Sequence, residues 1–171
     1  YDLSHYDAVL AFCRVLRDLY LERGVCERAF TWHEAADVRQ FFPREVEKEV
    51  ELLWIGNWGD DERSRELREF LLEPVSTLRL DTQVQGVRYP PEALAELAAA
   101  GAHYAGFVPN YRAPERYARS LMTVHVPRRP YTEALPGVPT IRVFEALACG
   151  IPLVSAPWSD CEALFEEGDF L

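Results

Sequence analysis

Short apolar runs alternate along the chain with longer stretches whose apolar residues recur every third or fourth position. The short runs, bounded by Gly, Pro or charge, read as buried strands, and the helical spacing reads as amphipathic helix. Residues 7–12, DAVLAF, are thus a strand. The segment RVLRDLYLERG, with Val15, Leu16, Leu19 and Leu21 at helical spacing before Gly24, is a helix, and AFTW at 29–32 is a second strand. The loop HEAADVRQFFP and the acidic stretch REVEKEVE then read as a connector, with a domain boundary near Pro43.

Beyond that boundary the alternation resumes. ELLWIG (51–56) is strand-like, DERSRELREFLL (61–72) helical, VSTLRLDTQV (75–84) strand-like, and PPEALAELAAAG (90–101) helical with Pro at its start. HYAGF follows as strand, APERYARS as a short helix, LMTVHV as strand, PTIRVFEALACG (139–150) as helix, IPLVSA as strand and SDCEALFEEG as helix. Continuous apolar strands alternating with helices predict an α/β fold, a doubly wound parallel sheet covered on both faces. Such sheets bind ligands at the carboxyl ends of their strands, beside helix N-termini. The strand-to-helix turns are therefore where chemistry is expected.

Composition narrows the partners. The chain has 171 residues, 28 acidic against 18 basic side chains and a net charge of −10, with no basic stripe. That balance argues against nucleic acid or an anionic membrane as the main partner. A 49% hydrophobic content argues against disorder, and the length allows one domain or one domain plus part of another. The longest apolar runs stop well short of the ~20 residues that span a bilayer, so no transmembrane segment is expected. Neither a starting Met nor a leader is present, and EEGDFL carries no helix-ending signal, which leads to the expectation of a fragment cut at both ends. Cys13, Cys26, Cys149 and Cys161 have no CxxC pairing and read as scattered thiols of a reducing, cytoplasmic compartment.

Two turns carry candidate chemistry. In IGNWGDDER (55–63), Gly56 and Gly59 let backbone N–H groups approach a ligand, as a phosphate site requires. The same glycines also suit an ordinary tight turn with Trp58 packed on the surface and with Asp60 and Asp61 as helix caps. In RPYTEALPGVPTIRVFEALACG (129–150), the stiff Pro136-Gly137-Val138-Pro139 loop ends where a helix begins. That leaves N–H groups near Thr140 and Ile141 directed outward to an anion. Arg142 and Glu145 share a helix face, offering either a cation for phosphate and a carboxylate for sugar hydroxyls or a simple surface ion pair. His5, His33, His103 and His125 show no metal-ligand spacing and read as strand-end or surface histidines, so no metal site is expected. Tyr104, Tyr111 and Tyr117 with Phe107 suit either stacking on a base or the core.

Two segments together resemble glycosyltransferases of the GT-B fold, in which two Rossmann-like halves face each other across a cleft. Asp37, Phe41 and Pro43 in DVRQFFP are similar to that family's linker phrase, and residues 139–168 to its donor-binding helix, the next strand and the next helix. The phrase PTIRVFEALACG, with IGNWGDDER and its Arg63, most resembles the spore-maturation-like subgroup. The resemblance implies that Glu145 holds the ribose, that N–H groups of Thr140 and Ile141 contact the diphosphate, and that the turn Gly56, Asn57, Trp58 and Gly59 lies near it. It further implies that Phe107 and Val108 lie beside the base. The family's commoner motif has a second Glu eight residues before the first, and here that position is Gly137.

On this reading, residues 1–43 are the end of an acceptor-side domain and 44–171 a donor-binding domain, truncated. The expected activity is sugar transfer from a nucleotide-sugar donor to an unknown acceptor, without metal and without a cofactor. Arg142 and Arg63 would serve the diphosphate, Lys48 being the only lysine. The alternatives are a non-catalytic α/β module that binds a ligand or partner, and a GT-B-fold sugar-nucleotide epimerase.

Overall fold

The structure is a computed structural model and describes residues 3, 5–59, 61–169 and 171. Strands β1 (Val9–Ala11) and β2 (Ala29–Thr31) flank helix α1 (Arg14–Glu22) and pair in parallel, Leu10 opposite Phe30. After a long connector come β3 (Val50–Ile55), α2 (Ser64–Leu67), a π-helical turn (Arg68–Leu72) and α3 (Glu73–Leu78). Then follow β4 (Thr82–Gln85), α4 (Pro91–Ala100), β5 (Ala102–Tyr104), α5 (Ala113–Ala118), β6 (Ser120–His125), α6 (Ile141–Ala148) and β7 (Leu153–Ser155).

The five later strands form one parallel sheet in the order β5-β4-β3-β6-β7. Period-2 alternation along β3 sends Leu52 and Trp54 to one face, against α2 to α4, and Leu53 and Ile55 to the other, against α5 and α6. The sheet is thus covered on both faces, as the continuous apolar strands predict. Strand order reverses between β3 and β6, which opens a crevice at their carboxyl ends. A smaller core of Ala11, Cys13, Leu16 and Val138 seats the β1-α1-β2 unit on the 131–138 loop.

Three expectations change. Residues 75–78 are helix rather than strand: Val75 is buried, Pro74 lies in the first turn of α3, and Arg79 ends it in the left-handed conformation. Helical structure begins at Ser64 with Arg63 as the residue before it, so Asp61 is not the cap. Instead the Asp61 carboxylate accepts from the Ser64 hydroxyl, and Asp60 lies outside the described residues.

SDCEALFEEG forms no helix among the described residues. Ala163 takes a positive φ of 54°, and Asp160 accepts the Phe165 N–H. Glu162 is drawn to the first unit, where it accepts from the Arg14 backbone N–H at 2.7 Å and meets His33 Nε2 at 2.9 Å.

Candidate functional site

A cleft of about 310 Å³ opens at the crevice between β3 and β6. Its walls are the carboxyl ends of those strands, the start of α6, Phe12 from the first unit and Glu34 from the connector after β2. Of the residues singled out from sequence, Gly56, Asn57, Arg63, Thr140, Ile141 and Arg142 meet here. Glu145 lies beneath, buried and joined directly to the Arg142 guanidinium. Trp58 points away into the core, tilted against Tyr89 at 6.0 Å, which replaces the surface packing expected for it. Phe107 is exposed and Val108 packs among the α5 and α6 core residues, both outside the lining of this cleft.

The β3 turn closes on itself. The Gly56 N–H donates to the Gln85 carbonyl at 2.9 Å, and the Gly56 carbonyl accepts from the Tyr89 hydroxyl at 2.9 Å. Gly86, at φ +155°, lies so near that carbonyl that any Cβ there would strike it. Arg63 donates to the Asn57 carbonyl from Nε (3.1 Å) and Nη2 (2.8 Å), and to the Val126 carbonyl from Nη1 (3.2 Å). Its guanidinium lies 5.2 Å from the Trp54 ring centroid and so ties the ends of β3 and β6 together. Burial, then the charge of Arg128, pushes its pKa down to about 10.

The start of α6 is built differently. Thr140 is the capping residue by conformation (φ −118°, ψ 143°), yet its side chain turns to His125 Nε2 at 2.9 Å rather than to the helix N–H groups. The other ring nitrogen, Nδ1, lies 3.0 Å from Ser155 Oγ, whose proton goes to the Ala156 carbonyl. Nδ1 must therefore carry the ring proton, leaving Nε2 to accept from Thr140. Burial, then Arg63, holds His125 neutral by lowering its pKa to about 4.

Charges at the cleft are uneven. Arg63, Arg128 and Arg142 line it, in a chain with an overall acid excess. Arg142 also donates to Asn110 Oδ1 at 3.1 Å, and Arg128 pairs with Glu62 at 3.3 Å. Burial raises the pKa of Glu145, opposed by Arg142 and Asn110. Glu34 faces the Ile141 N–H, and burial raises its pKa against that stabilising contact.

Sequence reading missed His125 as a buried member of this site and missed Glu34 entirely. His125 had one available signal, its place as the last residue of a strand at the point of strand-order reversal. Gly137 explains itself locally. It is buried at φ +91°, and a Cβ there would collide with Cys161 Sγ, so no carboxylate side chain fits at that position.

Among the described residues, no group of three or more His, Cys, Asp or Glu side chains could hold a metal ion. No helix among them is long and apolar enough to cross a membrane.

Comparisons with known proteins give one family. The sequence profile of the family described as glycosyl transferase-like matches residues 63–171. No curated protein sequence matches the chain. Among solved structures, sucrose-phosphate synthase from Thermosynechococcus elongatus aligns with a TM-score of 0.63 at 15% identity, over 90% of this chain and 41% of that one. A variant of S. aureus TarM, crystallised with Fondaparinux, alpha-GlcNAc-glycerol and UDP, gives 0.64 at 13% identity, over 88% of this chain and 30% of that one. The C-terminal domain of a glycosyl transferase group 1 family protein from Francisella tularensis gives 0.52 at 14%, over 78% and 76%. The chain therefore spans less than half the length of the first two, and at these identities the likeness is one of fold.

Proposed function

The chain belongs to the glycosyl transferase-like family, and we propose that its cleft is the donor site of a glycosyltransferase, which moves a sugar from a nucleotide sugar to an acceptor. The observation that carries this reading is the start of α6, where backbone N–H groups meet three arginines at the strand-order reversal. Such a cradle suits a diphosphate. The UDP in the TarM structure supports a nucleoside diphosphate as the ligand class.

In this reading the N–H groups of Thr140 and Ile141, with Arg142 and Arg63, hold the diphosphate without a metal. As the sugar leaves, charge builds on the nucleoside diphosphate, and fixed N–H groups and guanidinium groups facing it lower the barrier. Glu145, now turned to Arg142, would exchange that partner for ribose hydroxyls and free Arg142 for phosphate. Gly56, Asn57 and Trp58 would shape the wall beside the diphosphate. Phe107 and Val108, just beyond β5 on the same edge of the sheet, would flank the base. The spore-maturation-like subgroup and a cytoplasmic location complete the proposal.

Residues 44–171 would form the donor-side domain and 1–43 the end of an acceptor-side domain. The likeness to an isolated C-terminal domain supports the first assignment. The exposed face of Leu10, Phe30 and Trp32 on the small sheet supports the second.

Calorimetric titration with UDP, GDP, ADP and dTDP, without and then with magnesium, tests the reading. Selective binding that needs no metal and weakens in Glu145→Ala is expected. A folded chain that binds none of the four would overturn it.

A further inference from the structure

This inference rests on the donor-site reading. We propose that Glu34 is a built-in competitor of the donor's diphosphate, its carboxylate placed at the start of α6 in the cleft and required to withdraw before a nucleoside diphosphate can bind. Glu34 belongs to the connector between β2 and β3 and reaches the cleft beside Pro139, Thr140, Ile141 and Arg142. Half-buried, it lines the cleft together with Ile141, whose N–H stabilises its carboxylate and is among those the diphosphate would use. A helix N-terminus favours one anion, and two anions brought to the same N–H groups repel each other.

The surroundings show a loosely held occupant. Arg142 attracts Glu34 and Glu145 repels it. Arg63 and Arg128 also line the cleft, and His125 is neutral. The other carboxylates near the cleft are committed: Glu145 to Arg142, Glu62 to Arg128 and Glu66 to Arg129. Among the described residues, Glu34 makes no ion pair within 4.0 Å. The backbone on either side is anchored, His33 by Glu162 and Ala36 by the core that contains Phe41 and Val143. Rotation of the Glu34 side chain is therefore the route by which it would leave.

The experiment compares wild type, Glu34→Gln, Glu34→Ala and Arg142→Ala by calorimetry with the same four nucleoside diphosphates, after circular dichroism and thermal melts show each variant folded. Glu34→Gln keeps the shape and removes the charge, and Glu34→Ala removes the group. Both are expected to bind about two- to fivefold more tightly than wild type, the range set by one anion at a helix N-terminus. Weakening in Arg142→Ala without a gain in either Glu34 variant overturns the inference and leaves the donor site standing. Absence of binding in all four proteins overturns the donor-site reading, and the inference with it.

Discussion

After β3 the chain turns through Gly56–Gly59 and ties three of its backbone groups to the surrounding fold: the Gly56 N–H goes to Gln85, its carbonyl to Tyr89, and the Asn57 carbonyl to Arg63. Before α6 the chain does the reverse. The Thr140 side chain, which could have capped the helix, is spent on His125, and Glu34, a residue distant in sequence, lines the cleft with Ile141, whose N–H stabilises its carboxylate. Both turns line one cleft, yet one is a closed frame and the other an open anion seat. The Gly56 N–H is therefore closed to a phosphate by its bond to Gln85, whereas the Ile141 N–H is bound to no other backbone group among the described residues.

The largest expected effect comes from breaking the closed turn. Arg63→Met would strip the Asn57 and Val126 carbonyls of their donors and lower stability by about 3–4 kcal/mol in urea unfolding. A loss under about 1 kcal/mol would mean that water replaces the guanidinium at both carbonyls.

The next effect concerns the support beneath α6. Because burial lowers the His125 pKa from 6.5 to about 4, its contribution is fully present above pH 6.5 and is lost as pH falls through about 4. Stability should fall over that interval by on the order of 3 kcal/mol, and Glu or Asp protonation adds at its acidic end. Unfolding curves from pH 7.5 to 4 check this, and a His125→Gln variant should show a flatter profile between pH 6.5 and 5.

How far these features were legible beforehand differs between the two turns for a physical reason. The strands ELLWIG, LMTVHV and IPLVSA and the helix with Arg142 and Glu145 follow from local apolar pattern, and the parallel two-faced sheet follows from them. The 75–78 segment misled because Val75 and Leu78 suit a helix face as well as a strand, and only packing under the preceding helix decides. The segment after β7 misled because Glu162 answers to Arg14 and His33 at the far end of the chain. Likewise, nothing local to HEAAD announces that Glu34 meets Ile141, or that Trp58 turns inward to Tyr89. Periodicity reports which face of an element is buried, but not which distant side chain completes a helix end.

Two smaller effects sharpen the contrast at the open seat. Arg142→Ala should weaken nucleoside diphosphate binding about tenfold, by calorimetry, while Glu145, still buried, loses its cationic partner. Thr140→Val should cost about 1 kcal/mol in unfolding free energy, since it removes the hydroxyl donor to His125 and no helix cap is lost with it.

The most direct test of the account is amide NMR of the 15N-labelled chain titrated to saturation with the nucleoside diphosphate that binds best. The account predicts the largest shifts at the Ile141 and Arg142 amides, with the Gly56 amide still protected from exchange by its bond to Gln85. A saturating titration that leaves Ile141 and Arg142 unmoved while other regions shift would contradict it.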